Sequence, residues 1–200
     1  SIVALTKDNL KARLAYSTVS QLSYIVLAGA LATSAGVLGG GMHIAMHAMG
    51  KITLFFCAGA ILVGAHKSEI SDMDGLGRRM PFTFGAFFLG SLSVIGLPPM
   101  GGSWSKWYLV LGTVEAVRPE MMAVLMASSL LSIGYLMPVV GRAFFRPPPD
   151  DEGHGHESGG GIAEAPFLCV LPPVLTGIGC VVLFFYAEKI YGLLTGMVTP

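Results

Sequence analysis

His43, His47 and Lys51 stand four residues apart in "HIAMHAMGKITLFF" (43–56), a run otherwise almost wholly apolar. On a helix that spacing puts all three on one face. A fourth ionisable group, Lys106, lies in "VIGLPPMGGSWSKW" (94–107), with apolar residues on both sides of it. Imidazole changes charge close to neutral pH and can accept a proton on one nitrogen while releasing one from the other. Steps of four residues rise about 6 Å along a helix, a gap one water can bridge, and Lys51 would hold or release the proton electrostatically. Such a stripe supports a hydrated proton relay; the alternative is a set of interhelical hydrogen bonds without transport.

Two other chemistries use paired histidines. A zinc-protease helix needs HExxH, and HIAMH lacks the Glu that serves as general base. Bis-histidine haem needs imidazoles facing each other from different helices, whereas His43 and His47 share one helix. The remaining histidines, His66, His154 and His156, lie in or beside loops. No metal and no cofactor is expected. The relay is favoured because the stripe coincides with a broken helix that carries its own lysine.

That break is written in the residues before Lys106. Pro98 and Pro99 remove two backbone donors and disfavour helix just before them, while Gly96, Gly101 and Gly102 loosen the chain on both sides. Unwound backbone in lipid must be buried in protein or line a wet cavity, and discontinuous helices mark ion and substrate sites in transporters. An ammonium at the bilayer centre costs about 2.5–3.5 kcal/mol on insertion scales. Lys106 is therefore expected to be a functional buried lysine near mid-membrane.

The elements that position these groups are membrane spans. Of 200 residues, 53% are hydrophobic and only 12% charged, against about 25% charged in a soluble domain. This is an all-α polytopic membrane protein. The formal net charge of zero leaves no basic face for nucleic acid. Cys57, Cys169 and Cys180 sit in apolar runs without CxxC spacing and read as packed thiols.

Five segments reach the length of about 20 residues that a spanning helix needs. They run from about Leu10 to Val37, Gly40 to Ala65, Met80 to Val117 (the broken one), Pro119 to Phe145 and Ile162 to Tyr186. Five crossings put Lys7, Lys11, Arg13, Lys67, Arg78, Arg79, Arg142 and Arg146 on one side, and only Arg118 and Lys189 on the other. The positive side is expected to be cytoplasmic, which leaves the C-terminus outside. The loop "RPPPDDEGHGHESGGG" (146–161), with His154 and His156, is too polar and too rich in proline and glycine to build a core. The division expected is 1–145 as a four-span translocating part, 146–161 as a flexible cytoplasmic loop, and 162–200 as a C-terminal transmembrane helix. The chain opens on Ser1, with the charged "TKDNLKAR" close behind and no signal peptide; it reads as the C-terminal part of a longer membrane protein.

Four stretches in order, "DNLKARLAYSTVSQLSYIVLAGAL", "HIAMHAMGKITLFFCAGAI", "ISDMDGLGRRMP" and "GLPPMGGSWSKWYL", resemble the antiporter-like membrane subunits shared by respiratory complex I, membrane-bound hydrogenases and Mrp-type cation/proton antiporters. The wording is nearest to the D-type subunit of Mrp antiporters, and the resemblance covers about residues 5 to 145. It implies part of an inverted-repeat fold with a broken helix in each repeat, this chain matching helices ten to fourteen. It also implies that His43, His47, Lys51 and Lys106 belong to a central axis of protonatable residues. The implied function is proton translocation within a multisubunit complex in the bacterial inner membrane, coupled to sodium or potassium. The alternatives are a proton-pumping subunit of complex I or a hydrogenase, or a non-conducting scaffold, and no catalysis is expected of this chain alone. Gly50, Ser23 and Ser103-Trp104 depart from the family pattern, and Gly50 is expected to loosen the helix beside the relay.

Overall fold

The computed structural model describes residues 1–147 and 162–198, the last two by backbone alone. The expectations for His154, His156 and most of the 146–161 loop lie outside the described residues. A short α1 (Ile2–Thr6) leads into α2 (Leu10–Leu31) and α3 (Ser34–Ala65). A one-turn 3-10 helix (Ile70–Asp72) and α4 (Leu76–Arg79) precede α5 (Pro81–Ile95), α6 (Gly102–Glu115) and α7 (Pro119–Phe145). After the undescribed segment come α8 (Phe167–Phe185) and α9 (Ala187–Val198). By length and composition α2, α3, α7 and α8 can cross a bilayer, and α5 is apolar but shorter. Helices α5 and α6 are the two halves of the broken third span.

Helix α3 is the axis of the bundle. Its 32 residues reach about 48 Å at about 1.5 Å each, well beyond a hydrocarbon core of about 30 Å. It packs against α2, α5, α6, α8 and α9. Small residues let its neighbours come close. A Cβ on Gly39 would meet the Leu109 nitrogen of α6 at 2.7 Å, and one on Gly50 would meet Val94 of α5 at 3.1 Å. Helix α3 runs unbroken through Gly50, so this glycine serves close packing rather than loosening.

Three boundaries differ from expectation by five residues or more, one of them the start of the second span, at Ser34 rather than Gly40. The first span ends at Leu31, not Val37, because Ala32 turns left-handed at φ 50° and Thr33 caps α3 by accepting the Gly36 N–H. Ala, Thr and Ser hardly change hydropathy, so a composition window cannot see this turn. The last span starts at Phe167, not Ile162. Glu164 is instead the cap of α5, accepting from the Phe82 and Thr83 N–H groups at 2.7 and 3.2 Å. This last part of the chain holds two helices rather than one, with α9 continuing past Tyr186.

The cations expected on one side do converge. Lys7 accepts from Arg13 through its carbonyl at 2.7 Å, Leu10 N–H donates to the Ser68 carbonyl, and the Arg142 side chain donates to Asp74 at 2.7 Å. Arg78 donates to the Phe144 carbonyl, and Ala163 N–H to that of Arg79. Arg118 lies at the other end, where Thr33 donates to the Gly112 carbonyl and the Ala35 N–H to Glu115.

Candidate functional site

Helices α2 and α3 are antiparallel neighbours joined by a two-residue turn. Their polar residues therefore pair level by level, and α7 adds a third member to each level. On the first level Lys51 is 5% exposed. Its ammonium donates to Ser17 Oγ at 2.6 Å and to the Leu14 carbonyl at 3.2 Å. Ser17 in turn donates to the Tyr135 hydroxyl at 2.9 Å. One turn along come Gln21 on α2, His47 on α3 and Ser132 on α7. Gln21 Nε2 donates to Ser132 Oγ at 3.3 Å, and Ser132 Oγ and Tyr135 Oη lie 3.0 Å apart. On the third level the Tyr24 and His43 ring centroids are 5.5 Å apart.

The two imidazoles form a stack, with centroids 5.6 Å apart and planes at 15°. That is what four-residue spacing on one helix face produces. His43 Nδ1 lies 3.0 Å from Ser105 Oγ of α6. His43 Nε2, His47 Nδ1 and Gln21 Oε1 are buried without a hydrogen-bonding partner among the described residues.

Lys106 closes the row from the other side of the break. Its Nζ donates to the Ile95 carbonyl at 2.8 Å and to Ser129 Oγ of α7 at 3.1 Å, and it lies 5.2 Å from the Tyr24 ring centroid. Ile95 is the last residue of α5, so its carbonyl belongs to the set that a helix end leaves unpaired, at the negative end of the dipole. The break thus creates the acceptor that holds the ammonium. Gly96 permits this twice over. Its φ of 86° suits glycine, and a Cβ there would meet Lys106 Cδ at 2.7 Å. Gly102 opens α6 beneath the Ser93 carbonyl, where a Cβ would collide. Gly101 N–H donates to the Cys180 carbonyl of α8 at 3.0 Å, and a cis peptide joins Pro98 to Pro99.

The structure therefore brings His43, His47, Lys51 and Lys106 into one row, with Gly96, Pro98, Pro99, Gly101 and Gly102 framing the Lys106 end. Among the described residues no carboxylate lies within 4.0 Å of either ammonium. Sequence reasoning missed Ser17, Gln21 and Tyr24, and Ser129, Ser132 and Tyr135. The signal was present: "STVSQLSY" (17–24) and "SSLLSIGY" (128–135) carry polar groups three and four apart within apolar spans, the spacing that aligns one helix face.

Residues 1–132 match the family model described as "NADH:quinone oxidoreductase/Mrp antiporter, TM". The chain is 39% identical to NADH-quinone oxidoreductase subunit N of Desulforudis audaxviator, over 95% of its own length and 39% of the relative's. It is 32% identical to hydrogenase-4 component B of Escherichia coli, over 66% of this chain and 21% of that one. The chain therefore spans about two fifths or less of these relatives. Among solved structures, the fold matches a chain of the Mrp complex from Dietzia sp. with a TM-score of 0.82 at 21% identity, covering 94% of this chain and 42% of that one. It also matches a chain of an archaeal membrane-bound sulfane sulfur reductase with a TM-score of 0.77 at 26% identity, covering 91% and 29%.

Proposed function

The chain belongs to the NADH:quinone oxidoreductase/Mrp antiporter transmembrane family, and from that premise we propose that it moves protons across the bilayer as part of a multisubunit membrane complex. One observation carries the proposal: a row of the buried Lys51, His47 and His43 and the half-buried Lys106 that crosses from an unbroken helix to a broken one, with no carboxylate within 4.0 Å of either ammonium among the described residues. Two uncompensated ammonium groups inside a membrane domain are expensive, and such groups mark ion or proton pathways. Protons pass from Lys51 along His47 and His43, and Lys106 exchanges them with the opposite half-channel. The Ile95 carbonyl stabilises a charged Lys106 without being able to take its proton, so loading and unloading fall to the relay.

The partners are the other subunits of the complex, the lipid bilayer, protons and a coupling cation, sodium or potassium. We place the chain in an Mrp-type antiporter, in the role of its D-type subunit. The second reading is a proton-pumping subunit of complex I or of a membrane-bound hydrogenase. It is favoured by the 39% identity to a quinone oxidoreductase subunit over nearly the whole chain. Neighbouring genes separate the two: small antiporter subunits support the first, quinone or hydrogenase subunits the second. Residues 1–145 form the translocating part and 162–200 the C-terminal membrane part. We place the protein in the bacterial inner membrane with its cation-rich end cytoplasmic and its C-terminus outside. Single cysteines at Arg79 and Arg118 will then react with impermeant reagents from opposite faces, and labelling from one face refutes the topology.

The decisive experiment is Lys106→Ala in the full-length subunit of the intact complex. Proton movement in everted vesicles and complex abundance are measured on the same membranes. The expected result is loss of transport with normal abundance, since among the described residues no carboxylate partner is left unpaired. Wild-type transport would make Lys106 structural and favour the scaffold.

A further inference from the structure

The relay gives no task to the buried hydroxyls that lie behind Lys51. Ser17, Ser132 and Tyr135 are fully enclosed where α2, α3 and α7 meet, and they form one connected row ending on Lys51. The direction of the hydrogen bonds in that row follows from the charge at its end. A charged ammonium has only hydrogens to offer, so Ser17 Oγ accepts from Lys51 at 2.6 Å. The single Ser17 hydrogen then goes to Tyr135 Oη at 2.9 Å, and that of Tyr135 to Ser132 Oγ at 3.0 Å. Ser132 gives its own hydrogen to the Ser128 carbonyl at 3.0 Å, while its oxygen also accepts from Gln21 Nε2 at 3.3 Å.

The same heavy-atom positions suit the uncharged amine. Once Lys51 has passed its proton toward His47, Nζ carries a lone pair. Ser17 can turn its hydrogen onto Nζ, Tyr135 onto Ser17 and Ser132 onto Tyr135, with Gln21 still donating to Ser132. No O–H bond breaks in this reversal; three hydroxyl dipoles rotate. The far end of the row is a backbone carbonyl, which has no hydrogen to pass on, so the row holds Lys51 but conducts nothing.

We propose that Ser17, Tyr135 and Ser132 form a reversible hydrogen-bond row that holds Lys51 in place in both of its charge states, with Tyr135 as the positioning residue joining the two halves. Arg13 fixes the same residue from its backbone, donating to the Tyr135 carbonyl at 3.1 Å. The inference rests on the proton-translocation proposal, and it adds that Lys51 can release and rebind a proton without leaving its seat.

The test is Tyr135→Phe, which keeps the buried ring and removes only the hydroxyl, in the full-length subunit of the intact complex. Ser132→Ala and the double variant accompany it, with Lys106→Ala as reference. Leaving the Ser17 hydrogen buried without an acceptor is expected to slow transport per complex about tenfold, with complex abundance unchanged. The double variant is expected to be no slower than the slower single, because both break one row. The rate ratio between H2O and D2O rises in Tyr135→Phe as proton release from Lys51 becomes slow; a mere loss of assembled complexes leaves that ratio alone. Wild-type transport per complex in Tyr135→Phe, losses that multiply in the double variant, or an unchanged isotope ratio overturns the inference while an inactive Lys106→Ala leaves translocation standing. A fully active Lys106→Ala overturns both.

Discussion

Lys51 and Lys106 are held inside one bundle by opposite means, the first buried and the second half-buried. Lys51 stands on the unbroken α3 and is held by a serine hydroxyl and one carbonyl, with further hydroxyls behind. Lys106 stands just past a break and is held chiefly by the terminal carbonyl of α5, with Ser129 as a second acceptor. An intact membrane helix spends its carbonyls largely on itself, so Lys51 makes its shorter bond to a side-chain hydroxyl and only its longer one to the Leu14 carbonyl. A broken helix has carbonyls to spare. The environment of Lys51 can therefore be dismantled by side-chain substitution, while that of Lys106 yields only to changes in the lysine or in the backbone around it.

The largest effect is expected where the two sites do the same thing. Lys51→Arg and Lys106→Arg should each lower proton transport per complex by at least about a hundredfold, the loss typical of a missing general acid–base group, because arginine does not give up its proton. Activity in one variant but not the other would confine proton exchange to a single lysine and break the comparison.

Next comes the backbone at the Lys106 site. Gly96→Ala puts a side chain on a left-handed residue and against the Lys106 stem. A cost of about 1–2 kcal/mol in that conformation predicts roughly tenfold slower transport. An equivalent change at Gly85, with open space around its Cβ position and an ordinary φ, should leave the rate unchanged. Equal losses at both positions would show that Lys106 does not depend on the shape of the break.

Smaller losses should separate the hydroxyls. Ser17→Ala removes the link between Lys51 and Tyr135, whereas Ser129→Ala leaves Lys106 its shorter bond to Ile95. Transport should fall several-fold more in the first, an energy difference of about 1 kcal/mol, when rates are normalised to complex abundance. His43→Asn and His47→Asn should be mild, since water can stand in for one station. The reverse order for the two serines would mean that the helix end contributes less than its hydroxyl neighbour.

The smallest effect lies outside both sites, at the cation-rich end. The hydrogen bond from Arg142, with the charges of Arg142 and Arg146, holds the Asp74 carboxyl below the usual carboxylate range. A lowered folded-state value means that this contribution is complete above the unfolded range near about pH 4, and is lost as pH falls through the lower folded value. Asp74→Asn should lower the melting temperature of the purified complex slightly at neutral pH, and the gap should close on acidification. A gap that widens with acid would reverse the sign assigned to Asp74.

The helical, membrane-spanning character of the chain, the break between Ile95 and Gly102, the shared face of His43, His47 and Lys51, and the clustering of cations at one end are all legible in the residues. Each follows from a local rule: apolar length, proline and glycine chemistry, helical period or charge placement. Only the packed bundle reveals that Ser17 meets Lys51 and Tyr135, that Ile95 offers its carbonyl to Lys106, and that Glu164 caps α5 from 81 residues away. Packing also sets where α2 stops, since the Ala32–Thr33 turn is held by Gly112 on another helix. A serine in an apolar span carries the same hydropathy whether it faces lipid or an ammonium. Which of these it faces depends on which helix lies beside it and at what depth, and that is settled only when α2, α3 and α7 pack together.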